Sequence, residues 1–187
     1  MKNELNLRIS SGSLKNKRLA VPKIEGFRAV QEIAKQSVFS MLGDKVEDSV
    51  CLDLYSGSGN IGIEALSRGA RECTFVDQNY DSIGAITENI KKCSLEDKAY
   101  IIKGDAVKFV ANTDKNFDLV FLDPFYEETS HIFLVKNLAN IVNESGLIVF
   151  FHGENLDIKA LIKDSGLNIV DERKFGKSLF TFLERAD

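Results

Sequence analysis

The chain has 187 residues, 44% of them apolar and 28% charged, with a net charge of −4. That is enough chain for one well-filled core and too little for two full enzyme domains, and no apolar run approaches the ~20 residues of a membrane span. Three widely separated cysteines (Cys51, Cys73, Cys93) and two histidines (His131, His152) form neither a disulfide framework nor a metal set at recognisable spacing, so buried, reduced thiols are expected.

Met1 to Glu4 lack the apolar core of a signal peptide, which points to the cytoplasm. Residues 1–40 hold eight lysines and arginines against three glutamates, a net of +5 that leaves −9 for the remainder. Such asymmetry fits either an acidic partner met by the N-terminal segment or a solvated basic face. Two short extended runs, 5–9 and 17–21, flank the turn-rich Ser10, Ser11, Gly12 and Ser13, predicting a basic hairpin outside the main sheet. Apolar residues at Val30, Ile33, Ala34, Val38, Met41 and Leu42 then predict a helix over 29–42, ended by Gly43 and Asp44.

The apolar run 50–52 reads as a buried parallel strand. It empties into Asp53, Leu54, Tyr55, Ser56, Gly57, Ser58 and Gly59, and a helical pattern follows. Strand, glycine loop and helix in this order make a nucleotide site, because glycine lets the backbone approach the ligand. The spacing Gly57, Gly59, Gly62 fits both NAD and S-adenosylmethionine. Strands over 50–54, 73–77, 99–103, 119–122 and 147–151 alternate with helices near 60–68, 82–92, 106–112, 131–143 and 157–165. This is the pattern of an α/β fold, a parallel sheet covered by helices on both faces. The tail, 167–175 and 178–184 around Gly176 and Lys177, reads as a hairpin that adds an antiparallel strand at one edge.

Ligands of open parallel sheets bind beyond the carboxyl ends of the strands. Asp77 ends the second strand, twenty positions after Gly57, where a carboxylate can accept from ribose hydroxyls. Asp105, after the third, is placed to accept from an adenine amino group, or alternatively to cap the helix that begins at Ala106. The fourth strand ends in Asp123, Pro124, Phe125 and Tyr126. An exocyclic base amine is a poor nucleophile, its lone pair being delocalised into the ring. A carboxylate and a backbone carbonyl fixed side by side can accept its two N–H bonds and aim the lone pair at an electrophile. Asp123 and the Pro124 carbonyl would supply that pair, and Tyr126 a face on which the base stacks; an ordinary Asp-Pro turn is the alternative.

The run 53–62, continued by Glu64 to Ala70, with Asp77, Asp105 and the Asp123 to Tyr126 tetrapeptide, resembles the RsmD family of bacterial small-subunit ribosomal RNA guanine-N2 methyltransferases. The similarity extends to Arg8, Ile9, Ser10, Ser11 and Gly12, to Gly26, Phe27 and Arg28, and to Lys174 through Lys177. It implies a class I methyltransferase fold, a Rossmann-like seven-stranded and mostly parallel sheet over 29–187, with a small N-terminal β-hairpin extension over 1–28. It also implies S-adenosylmethionine as cofactor, held by Asp53, Tyr55, Ser56, Gly57, Gly59, Asp77, Asp105 and Ala106. The implied partner is small-subunit ribosomal RNA or a ribosomal particle, met through Arg8, Lys15, Lys17, Arg18 and Arg28, with catalysis at Asp123, Pro124 and Tyr126. No metal, no membrane and a monomer are the accompanying expectations.

Three departures bear on substrate choice: Phe125 stands where the family usually has a second proline, Ala29 and Val30 replace Pro-Thr, and Gln36 replaces a glutamate. The competing readings are an adenine-N6 methyltransferase, an RNA-binding assembly factor without turnover, and an NAD oxidoreductase. The last leaves the tetrapeptide unexplained. Between the two bases, Asp123 suits guanine, because a pure acceptor can also take the N1–H that adenine lacks.

Overall fold

The computed structural model describes residues 7–124, 131–176 and 178–186. The basic hairpin is present but short. Arg8 and Arg18 bridge antiparallel, the Ile9 N–H donates to the Lys17 carbonyl at 3.0 Å, and the Leu19 N–H donates to the Leu7 carbonyl at 2.9 Å. Leu5, where the first extended run was expected to start, lies outside the described residues. The hairpin stands outside the sheet, yet Ile9 and Leu19 are buried in one cluster with Phe39, Ile63 and Phe75.

Helix α1 (Glu32–Leu42) starts three residues later than the periodicity predicts, after an extended Gln31. Its buried stripe is Ala34, Lys35, Val38, Phe39 and Leu42, while Ile33 is 62% exposed. After a 3₁₀ turn at Gly43–Val46 come β1 (Val50–Leu54), α2 (Asn60–Ser67), β2 (Glu72–Asp77) and α3 (Tyr80–Cys93). Asn79 caps α3 by accepting from the N–H of Asp81 at 2.8 Å, which fixes its start two residues before the expected one. Next are β3 (Ala99–Lys103), α4 (Ala106–Asn112), β4 (Phe117–Leu122), α5 (His131–Ile141), β5 (Val142–Gly153), α6 (Ile158–Ile162), β6 (Leu167–Phe175) and β7 (Ser178–Arg185). Strand β5 is longer than its apolar run, following α5 without a loop.

The seven strands lie in the order β3-β2-β1-β4-β5-β7-β6. The pairs from β3 to β5 are parallel, and those of β7 with β5 and β6 antiparallel. The tail hairpin therefore adds two strands rather than one, and its second strand takes the inner place. Burial explains the choice: Phe180 and Phe182 fill one face and Leu183 the other, whereas β6 carries Asp171, Glu172, Arg173 and Lys174, charges suited to an edge. Alternation along the strands sends Cys51, Phe75, Phe121 and Phe151 towards the hairpin and α1 to α3. Leu52, Val76, Leu122 and Phe150 go to the opposite core.

Helix α2 must pack closely on β2 for the loop before it to keep its place. A β-carbon at Gly62 would sit 2.7 Å from Cys73 Sγ and closer still to the Phe75 ring, both in the strand beneath. Gly62→Ala is expected to cost about 1–3 kcal/mol, read as a lower urea midpoint at unchanged slope. A parent-like midpoint would mean that the strand yields without cost. The three cysteines are buried and unpaired, and among the described residues no helix is long and apolar enough to cross a membrane.

Candidate active site

The connections reverse direction between β1 and β4, and the crevice beyond the carboxyl ends of these two strands is where an open α/β sheet binds ligands. The glycine loop leaves β1 there. Tyr55 (φ 57°), Gly57 (φ 55°) and Gly59 (φ 75°) all take left-handed conformations, which coil the chain tightly enough to enter α2 at Asn60. Ser56 is buried, its N–H on the Val76 carbonyl at 3.2 Å and its hydroxyl against the carbonyls of Asp53 and Val76, so its side chain ties β1 to β2.

Asp53 is 2% exposed, and its Oδ2 accepts the Gly62 N–H at 2.9 Å, bracing the loop from inside the core. Burial pushes its carboxyl well above the usual carboxylate range, the Gly62 N–H opposes this, and the charges of Asp123 and Asp77 add to the rise. Carboxylates from the ends of β2 and β4 thus gather around the end of β1. Asp77 accepts from Gly57 N–H through Oδ2 and from Asn79 N–H through Oδ1, both at 2.9 Å, so it holds the loop while standing at its rim. Asp105 is exposed and caps α4, its Oδ1 accepting the Lys108 N–H at 2.8 Å, and Ala106 behind it is buried. The capping alternative is therefore realised at Asp105.

Asp123 directly follows β4 and is partly exposed, with its N–H 3.5 Å from the Leu54 carbonyl. Although the residue is partly exposed, the protein packed around its carboxyl strips that group of water and pushes it up to about 7. Pro124 beside it is buried; Phe125 and Tyr126 lie outside the described residues. Of the basic residues, Lys15, Lys17, Arg18 and Arg28 are exposed. Arg8 is exposed as well and holds Glu32 through two 3.0 Å hydrogen bonds, which raise its pKa.

A buried ionic cluster escaped the sequence reading. Glu64 of α2 pairs with Lys35 at 2.8 Å and with Arg68 at 2.9 Å. It also accepts from the Ser10 N–H, the Ser10 hydroxyl and the Ser11 N–H. Lys35 further donates to Asn60 Oδ1 and the Arg8 carbonyl, at 2.8 and 2.7 Å. The signal was there: Lys35 lies one turn before Val38 and Phe39, on the stripe that faces the core. His152 also turns inward, against Thr181 at 2.8 Å, and burial lowers its pKa. Among the described residues no group of three or more His, Cys, Asp or Glu could hold a metal ion.

The model of the family described as Conserved hypothetical protein 95 matches residues 7–184. The Bacillus subtilis protein YlbH is 32% identical over 167 residues, 84% of this chain and 89% of the other. The Haemophilus influenzae protein named ribosomal RNA small subunit methyltransferase D is 29% identical over 177 residues, 91% of this chain and 89% of its own. Among solved structures, the Escherichia coli protein yhhF superposes with a TM-score of 0.82 over 96% of this chain and 97% of that one, at 22% identity. Such a likeness shows the fold, the class I methyltransferase fold that the motifs imply. On the breadth of these matches, the chain belongs to the Conserved hypothetical protein 95 family, that of ribosomal RNA small subunit methyltransferase D.

Proposed function

We propose that the protein methylates ribosomal RNA with S-adenosylmethionine, and that its target is the exocyclic N2 amino group of a guanine in small-subunit RNA. The observation that carries this reading is the pairing of Asp123 and Pro124, at the end of β4, with the glycine loop at the end of the adjoining β1. The names of the relatives support RNA as the substrate.

The donor set fits the cofactor. The carboxylates of Asp77 and Asp105 follow neighbouring strands beside the glycine loop, offering acceptors to the hydroxyls and amine of an adenosine. Tyr55, Ser56, Gly57, Gly59 and Ala106 would line the same cradle, and Asp53 would act from beneath. When bound, S-adenosylmethionine supplies a methyl group already activated on a sulfonium, so the chain needs no metal and no covalent nucleophile.

In this reading the Asp123 carboxylate and the Pro124 carbonyl accept from the base amine and aim its lone pair. The nitrogen gains a methyl and gives up a proton. A carboxyl poised at about 7 is matched to receive it. Tyr126 is assigned to stacking. The hairpin of 1–28 serves the domain of 29–187 by meeting phosphates through Lys15, Lys17, Arg18 and Arg28, with Arg8 braced by Glu32.

Incubation with labelled S-adenosylmethionine and separated ribosomal RNA fractions tests the proposal. Label is expected in small-subunit RNA and, after digestion, in N2-methylguanosine. Label in N6-methyladenosine would overturn the base assignment, and no label in any fraction would overturn the activity. Changing Lys15, Lys17 and Arg18 to serine should flatten the slope of log affinity for RNA against log salt by roughly 0.7–0.9 per lost phosphate contact. An undiminished slope would remove the hairpin from the interface.

A further inference from the structure

The segment that leads from the hairpin to α1, residues 20–31, crosses the glycine loop and is fastened to it. At its start, Ala20 meets Asn89 of α3, which is completely buried. The Asn89 Oδ1 accepts the Ala20 N–H at 2.6 Å, and its Nδ2 donates to the carbonyls of Ala20 and Ser58, both at 2.9 Å. One amide thus ties the segment to the loop, using an acceptor and two donors that no carboxylate or hydroxyl could supply together. Further on, the Phe27 ring lies against Gly57, so close that a β-carbon there would be 2.9 Å from Phe27 Cε2. The Gly57 N–H is the one that Asp77 holds. Beyond the segment, Lys35 joins the Arg8 carbonyl of the hairpin to Asn60, the residue that follows the loop.

We propose that Asn89 is a positioning residue that joins the cofactor loop to this segment, so that RNA on the hairpin and cofactor on the loop strengthen each other's binding. The inference rests on the RNA methyltransferase reading above. A ligand on either element restrains the tie that both share, so the second ligand meets an element already restrained. Linkage makes the effect reciprocal: RNA must tighten the cofactor by the same factor as the cofactor tightens RNA.

Calorimetry on the full chain with S-adenosylhomocysteine as probe, with and without small-subunit ribosomal RNA, reads that factor. In the parent it is expected to be about fivefold or more. In Asn89→Ala it should fall to about one, while RNA still binds with the parent's salt slope. Should that variant fail to fold, Phe27→Ala decides: the ring is half-buried, its removal leaves the core intact, and the factor should again fall. A factor of one in the parent, or an undiminished factor in the folded variants, overturns the proposal. RNA that fails to bind the parent at all overturns the RNA reading itself, whereas RNA that binds and is methylated with a factor of one overturns only the coupling.

Discussion

Asp123→Ala should lower turnover on RNA about a hundredfold or more while leaving cofactor affinity within a few fold of the parent. Its carboxylate would position the reacting amine, and misplacing a reacting group costs on that order. Asp123→Asn is the sharper variant, because an amide cannot accept from both guanine N1–H and the amine without presenting a donor to one of them. The pH profile carries a second signature. Burial sets the Asp123 carboxyl at about 7, and only the ionised form accepts both N–H bonds, so activity should rise with pH through about 7 and be lost below it. That limb should vanish in Asp123→Asn. Full activity in both variants would reduce Asp123 to a turn residue.

Glu64→Ala should destabilise the fold by about 3–5 kcal/mol, out of a total stability of roughly 5–15 kcal/mol. Lys35 and Glu64 have side chains 1% and 0% exposed, so removing the carboxylate strands an ammonium in the core. Two backbone N–H groups of the hairpin lose their acceptor as well. Replacing both charges, as Lys35→Met with Glu64→Leu, should cost less than Glu64→Ala alone, since no ammonium is left unpaired in the core and Arg68, which also loses its partner, reaches solvent. Burial pushes the Glu64 carboxyl up, but Lys35 and Ser10 outweigh it and hold it below the ordinary glutamate value. The folded chain therefore binds fewer protons there than the unfolded one. Stability from this group is complete above the unfolded value of about 4.3 and declines as pH falls through the folded one. Urea titrations at several pH values would test both points, and a midpoint shift worth under about 1 kcal/mol in Glu64→Ala would contradict them.

The parallel half of the fold was legible because its strands are continuous apolar runs and its helices are bounded by glycine, asparagine and aspartate. What misled the reading was burial that polarity hides. In α1, Ile33 and Met41 counted towards the predicted apolar face, yet they are 62% and 37% exposed, and Lys35 takes the core position. A charge enters the core only when its partners surround it, and those partners come from the hairpin and α2, distant in sequence. Asn89 was invisible for the same reason: it reads as a polar residue on a helix, and its work depends on Ala20 and Ser58. The strand-end carboxylates were found, and capping was among the readings of Asp105, but the second duty of Asp77 was not foreseen. Asp77 holds the Gly57 N–H of the neighbouring loop and Asp105 the Lys108 N–H of the helix it begins, roles that spacing alone does not separate from ligand binding.

The inner position of β7 has a consequence for how the molecule is made. Because β7 rather than β6 pairs with β5, the flank of β5 from Ile148 to Phe151 has no neighbour until the last strand of the sheet has left the ribosome. Until then an apolar strand edge stands open to other nascent chains, the kind of surface through which partly built sheets aggregate. Closing it joins residues that are near in space and some thirty positions apart in sequence. Closing the sheet at this flank is thus a non-local step that the nascent chain can take only late.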